Sequence, residues 1–271
     1  MRLRLAIWIG RIVRSLARAR GGGSAIPGRI ARLIEPGLLS LTIGKVPQVI
    51  FVTGSNGKST TTGMLVALLR AHGLRVFTNP AGSNLPQGLA SAVLADVNAA
   101  GAIDADIAVL EVDEAYGPQI SAELTPDHLV VTNLQVDQLN RFGEPERVWE
   151  MMNAVAAKVQ KSLLVNVREP ALVSLAHALP AGAQLSTIDV DQGVIDAHPF
   201  GLVAASIYTE PFAALPAVSA RLVASTGPSA TILMESGESV NISLPGEGLH
   251  YGVDATLAIS MAKRVVSDFS I

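Results

Sequence analysis

The sequence predicts an α/β protein: a mostly parallel sheet with helices on both faces, followed by a small antiparallel β section. Three observations carry that reading. Apolar runs of strand length recur without polar alternation, which implies burial on both faces. Helical stretches lie between those runs, as crossovers between parallel strands require. From about position 184 the pattern changes to short β-rich pieces separated by Gly, Pro and Ser.

Taken in order, "QVIFVTG" (48–54) is the first strand and "KSTTTGMLVALLRAHG" (58–73) a helix that closes at Gly73. "LRVFT" (74–78) is a second strand and "LPQGLASAVLADVNAAG" (85–101) a second helix. "DIAVLEVD" (106–113) and "HLVVTN" (128–133) follow as strands, then a long helix over about 146–161 and a fifth strand, "SLLVNV" (162–167). Beyond 184, "LVAASIY", "ARLVAST", "ATILMES" and "SVNISL" read as an antiparallel meander or hairpins, and "DATLAISMAKRVV" as a closing helix.

The first twenty residues differ from the rest. They hold arginines at 2, 4, 11, 14, 18 and 20 and no acid. At helical spacing Arg4, Arg11, Arg14 and Arg18 share one face, while Leu5, Ile9, Ile12, Val13 and Leu16 share the other. The apolar run is too short for a signal peptide or a bilayer span. Two readings stay open: a helix on an anionic membrane surface, or one that packs its apolar stripe on the domain. "GGGS" at 21–24 then breaks the chain, and 26–45 links to the first strand. The expected division is 1–45 for this basic helix and linking segment, and 46–271 for a nucleotide-binding domain.

Composition narrows the function classes. Hydrophobic residues make up 49% of the 271 and charged residues 16%, so a large core is expected and global disorder is excluded. A net charge of −3 with 4% aromatics gives no case for nucleic acid as a partner. With no cysteine there is no disulfide framework and no thiolate zinc site, which fits a cytoplasmic protein.

The chemistry concentrates at strand ends. In "FVTGSNGKST" a strand runs through a glycine turn into a helix, the context that makes a phosphate loop credible. Only Ser55 and Asn56 separate Gly54 from Gly57, two residues fewer than the common form of that loop. Backbone N–H groups from Asn56 to Thr60 are expected to point at phosphate oxygens, aided by the helix dipole. Lys58 supplies a mobile charge for the β and γ phosphates, and the Ser59 hydroxyl is placed to ligate Mg²⁺. "AVLEVDEA" brings Glu111, Asp113 and Glu114 to the end of the third strand. Glu111 sits within apolar residues, so a metal or a cation should compensate it; Asp113 and Glu114 better suit an acid that caps the strand. "TNPAGSNLPQG" with Asn84, and "VVTNLQVDQLNRFG" with Asn133, Asp137, Gln138 and Arg141, add polar loops at the same edge, where ligands bind in an open parallel sheet.

The loop "TGSNGKST" resembles that of the Mur ligase superfamily, whose central domain binds ATP. "VLEVDEA", "TNLQVDQLNRFG" and "TNPAGSNLPQG" resemble the MurT branch, which forms the ligase subunit of lipid II isoglutaminyl synthases. The resemblance implies ATP-dependent amidation of the D-glutamate α-carboxylate of lipid II through an acyl phosphate. Ammonia would come from a glutamine amidotransferase partner, GatD-like. It implies ATP contacts at Gly54, Asn56, Gly57, Lys58, Ser59, Thr60, Asn84 and Asn133, and Mg²⁺ at Ser59 and Glu111. Location would be cytoplasmic, at the inner face of the membrane if the basic helix binds lipid. The family's C-terminal ligase domain, expected to carry catalytic residues, would begin where this chain stops at Ile271.

Departures from the pattern are as informative. Many members carry a four-cysteine zinc ribbon, and no zinc is expected here. Asn140 stands where an acid is usual, and Tyr251 and Asp254 stand where asparagines linked to adenine contacts are usual. Gln138, Met152 and Asn153 replace the His and the carbamylated Lys of amino-acid-adding ligases, which favours the amidating branch. An amino-acid-adding ligase of Mur or folylpolyglutamate type, or a nucleotide-binding module without independent catalysis, remain the alternatives.

Overall fold

A computed structural model describes residues 1–19, 25–135, 144–198 and 200–270. One sheet of nine strands runs through it: β1 (Val49–Thr53), β2 (Val76–Thr78), β3 (Ile107–Glu111), β4 (His128–Val131), β5 (Ser162–Asn166), β6 (Gln184–Val190), β7 (Val218–Thr226), β8 (Ser229–Met234) and β9 (Ser239–Ser243). Their spatial order is β2-β3-β1-β4-β5-β6-β7-β8-β9. Every neighbouring pair from β2 to β7 is parallel, and β7-β8-β9 are antiparallel.

The sheet works as a two-sided wall because its central strands are buried at every position and mostly apolar. In β1, Val49 and Phe51 point into one core and Ile50 and Val52 into the other, the period of two that a pleated strand imposes. The helices are α1 (Arg2–Ala19), α2 (Ala25–Ile34), α3 (Leu38–Thr42), α4 (Lys58–Ala71), α5 (Pro86–Asp96), α6 (Gly117–Glu123), α7 (Pro145–Ala156), α8 (Pro170–Val173), α9 (Gln192–Asp196) and α10 (Leu249–Val265). Residues of α1–α3 and α5–α8 fill the first core, and those of α4, α9 and α10 the second.

The mixed α/β architecture agrees with the sequence, with differences in its last third. The antiparallel section is not a separate unit but the continuation of the parallel sheet. "QLSTIDV" forms β6, parallel to β5, although its Gln, Ser, Thr and Asp hide an otherwise buried strand. "LVAASIY" is not a strand; it is irregular, with Ala205 buried in the first core and its amide donating to the Leu134 carbonyl (2.7 Å). α10 begins at Leu249, ahead of Asp254, and 26–45 is helical in α2 and α3.

The N-terminal helices are bolted to α5. At Gly28 a Cβ would fall on the Gln87 carbonyl and within 2.6 Å of the Ser91 amide, and the Gly28 amide donates to Ser91 Oγ (2.9 Å). Arg11 donates to the Leu94 carbonyl (3.2 Å) and to that of Val97, occupying acceptors at the C-terminal end of α5. Gly28→Ala is expected to destabilise by about 1–3 kcal/mol through overpacking. Urea unfolding checks this: the midpoint should fall with an unchanged m-value, and an unshifted midpoint would show that α2 can move away from α5 without cost.

Candidate nucleotide site

β1 lies between β3 and β4, where the strand order reverses, so the loop after β1 opens into the crevice between neighbouring strand ends. The turn through Gly54, Ser55, Asn56 and Gly57 enters α4 at Lys58. It needs glycine twice. Gly54 has φ +132° and lies so close to β4 that a Cβ would fall on Thr132 Oγ1. Gly57 has φ +81°, and a Cβ there would fall on the Asp254 carboxylate.

The loop is braced from β4. Asn133 Oδ1 accepts from the Asn56 amide and its Nδ2 donates to the Asn56 carbonyl, both at 3.0 Å. The Ser55 amide donates to the Asn133 carbonyl (3.0 Å), and the Gln135 amide to Ser55 Oγ (2.9 Å). This differs from the expectation that the Asn56 amide points at a phosphate: Asn133 already takes it, and Asn133 itself acts on the loop backbone.

Lys58 folds back over the same loop. Its ammonium donates to the carbonyls of Gly54 and Ser55 (3.0 Å to the latter) and to Glu114 Oε1 (3.2 Å). Burial pushes the Glu114 carboxyl up from its ordinary value, and the Lys58 charge opposes that shift. Glu114, expected as a strand cap, is therefore the ion-pair partner of the loop lysine.

Glu111 closes β3 at 3% exposure and is compensated by hydrogen bonds. Ser59 Oγ donates to its Oε2 (2.7 Å) and Asn84 Nδ2 to its Oε1 (2.9 Å). Asn79, not singled out in the sequence, pairs with the Glu111 backbone amide and carbonyl at 3.0 Å each. Its only sequence signal was its place in the Asn-rich loop after β2. Ser59 and Asn84 thus meet on Glu111 and Lys58 pairs with Glu114 three residues on, while Asp137, Gln138, Asn140 and Arg141 lie outside the described residues.

The two oxygens on Ser59 and Glu111 suit a hard cation. Adjacent ligands of an octahedral Mg²⁺ with bonds near ~2.1 Å sit about 3 Å apart, close to the observed spacing. Among the described residues no cluster of three or more His, Cys, Asp or Glu could form a dedicated cage, and Mg²⁺ characteristically takes one or two protein oxygens plus phosphates and water.

Beside the loop a cavity of about 720 Å³ extends from Asn56, Gly57 and Thr60 to the N-terminal turn of α10, with His250, Tyr251 and Asp254. Its far wall includes Glu169, His198 and Phe200. The volume falls in the range of pockets that enclose drug-sized ligands. Burial pushes both acids in this cavity up to about 7, and at Glu169 the Leu134 amide (3.1 Å) opposes that shift.

The middle-domain model of the Mur ligases matches residues 52–200, more than half of the chain. The chain belongs to the Mur ligase family. It is 33% identical over 174 residues to the lipid II isoglutaminyl synthase (glutamine-hydrolyzing) subunit MurT of Staphylococcus aureus (strain COL), covering 63% of this chain and 38% of the relative. The MurT subunit of Streptococcus pneumoniae (strain ATCC BAA-255 / R6) is 32% identical over 167 residues, 61% of this chain and 37% of the relative. The chain therefore spans about two fifths of the length of these relatives. In fold it is similar to the MurF ligase of Thermotoga maritima in complex with ADP (TM-score 0.62, 18% identity, 88% of this chain and 48% of that one).

Asp254 makes this Mur ligase site pH-sensitive. An acid whose folded pKa is raised stays neutral while the unfolded chain ionises, so stability falls as pH rises from about 4 to about 7 and is level above. Asp254→Asn removes that term. Compared with the parent it should gain stability steadily across this window, by up to about 1.4 kcal/mol per pH unit. Denaturant titrations at pH 5, 6 and 8 measure it; a gain independent of pH would mean that Asp254 is already ionised in the fold.

Proposed function

We propose that this chain is the nucleotide-binding part of an ATP-dependent carbon–nitrogen ligase subunit that amidates the D-glutamate α-carboxylate of lipid II. The observation that carries the nucleotide half is the meeting of Lys58, Ser59 and Glu111 where β1 and β3 end. The similarity to MurT subunits supports the amidating half.

In this reading the Lys58 ammonium exchanges Glu114 and the loop carbonyls for the β and γ phosphates, a charge-assisted contact of the same kind but stronger. The amides of Gly57 to Thr60 and the N-terminal end of α4 complete the anion cradle. Ser59 and Glu111 hold Mg²⁺, with Asn84 fixing the carboxylate; the ion, when bound, neutralises phosphate charge. The cavity toward α10 takes the nucleoside, with Asp254 and Tyr251 at its edge in place of the asparagines expected there.

The γ-phosphoryl group passes to the carboxylate oxygen, giving an acyl phosphate and ADP. Ammonia then attacks the acyl carbon and phosphate leaves, forming the carboxamide. The similarity to subunits of glutamine-hydrolyzing synthases supports ammonia from a glutamine amidotransferase partner.

Lys58→Ala is expected to weaken ATP binding by about 2 kcal/mol or more, roughly thirtyfold, with the fold intact. Glu111→Gln should weaken binding only when Mg²⁺ is present. Calorimetric titration with and without Mg²⁺ reads both, and equal effects of Glu111→Gln in the two conditions would remove the metal role.

The acceptor chemistry is read by mass. The intact subunit with lipid II and ATP should use free ammonium slowly, and glutamine only after an amidotransferase is added. The product should be about one mass unit lighter than the acid, as carboxylate becomes carboxamide. A product heavier by one amino-acid residue, formed without a partner, would replace this reading with that of an amino-acid-adding ligase.

A further inference from the structure

The N-terminal helix resolves the two sequence readings in an unexpected way. It packs on the domain, but through a face other than the stripe of Leu5, Ile12 and Leu16. The buried face is small: Ala6, Ile7 and Gly10. At Gly10 a Cβ would press on Leu94 (2.7 Å) and on Ala31 (3.2 Å), so the helix approaches α5 and α2 closely. Leu5, Trp8, Ile12 and Leu16, at i, i+3, i+7 and i+11, are left facing outward, with Trp8 63% and Leu16 53% exposed. α2, packed beside α1, exposes Ile26 and Leu33 as well.

Charge accompanies this stripe. The first 34 residues hold eight arginines and no acid, in a chain whose net charge is −3. Arg2, Arg4, Arg18 and Arg29 are exposed, whereas Arg11 is engaged with the end of α5 and Arg32 with Glu123. An exposed apolar ridge with a tryptophan, bordered by arginines on both sides, matches the surface of an anionic bilayer: acyl boundary for the ridge, phosphates for the guanidinium groups. No helix among the described residues is long and apolar enough to cross a membrane, so contact would be in the plane of the surface.

We propose that the outward face of α1, extended by α2, docks this protein on an anionic phospholipid bilayer. The proposal stands on this surface and does not depend on the ligase reading.

The test is sedimentation of the whole chain with phosphatidylglycerol–phosphatidylcholine vesicles and with phosphatidylcholine vesicles alone, neither containing lipid II or ATP. The protein should pellet with the anionic vesicles at low salt and be released by high salt. In a Trp149→Phe background, Trp8 fluorescence should shift to the blue on binding. The exposed triple variant Trp8→Ser/Ile12→Ser/Leu16→Ser should lose about tenfold or more in partitioning. Arg2→Gln, Arg4→Gln and Arg18→Gln should each cost about fivefold on anionic vesicles. Circular dichroism confirms that each variant is folded. Failure of the folded parent to bind anionic vesicles overturns the proposal, as does undiminished binding by the triple variant. If that variant instead loses a glutamine amidotransferase while neither protein binds vesicles, the face belongs to a protein partner. Because no substrate is present, failure here leaves the ligase reading untouched.

Discussion

A carboxylate at 3% exposure at the C-terminal end of a parallel strand is the constraint on which the site depends. Leaving Glu111 without partners would cost several kcal/mol, about what an uncompensated buried charge demands. Two segments, the start of α4 and the single loop from β2 to α5, answer that demand. Ser59 comes from the start of α4, Asn84 from the loop before α5, and Asn79 grips the Glu111 backbone from the end of β2. A residue that is expensive to bury therefore specifies how the ends of β1, β2 and β3 sit relative to one another. A hydrophobic residue at 111 would fill the same space and leave the start of α4 and the β2–α5 loop without a common anchor.

The shortness of the loop after β1 follows from what crowds it. A longer loop wraps a phosphate with its own turns. This one is held between β4 on one side and α10 on the other, with Thr132 and Asp254 pressed against its two glycines. Backbone shape is set by neighbours rather than by loop length: Asn133 brackets Asn56 from both its amide and its carbonyl. Asn133 positions the loop, and the lysine at 58 is kept close by Glu114 until a stronger anion competes for it.

The parts of this arrangement that were legible in the sequence are those whose residue type had only one physical use. A glycine turn between an apolar strand and a Lys-Ser-Thr helix start, and an acid inside an apolar run, identify Lys58, Ser59 and Glu111 because few other roles suit them. Asn79 and Glu114 were harder: asparagine and glutamate at strand ends serve equally as caps, and only their distances to Glu111 and Lys58 separate the roles. β6 was missed because a wide sheet tolerates an acid in a buried strand when neighbours satisfy it, as Arg168 and Arg221 satisfy Asp189 (2.6 and 3.0 Å). "LVAASIY" has a strand's composition but no ladder partner, which local pattern cannot reveal.

The N-terminal helices would look like an appendage were it not for where they are fastened. α2 meets α5 at backbone distance through Gly28, and α1 occupies acceptors at the C-terminal end of α5 through Arg11. The opposite end of α5 follows directly from the loop that carries Asn79 and Asn84 to Glu111. One short helix thus carries the N-terminal helices along its length, from Gln87 to Val97, and the loop to the Glu111 anchor ahead of its first turn. Displacing α1 and α2 would loosen α5, and through it the hydrogen bonds that compensate Glu111. The stability of the N-terminal packing and the geometry of the strand ends are thereby one problem rather than two, which gives the close Gly28 contact a reason beyond packing.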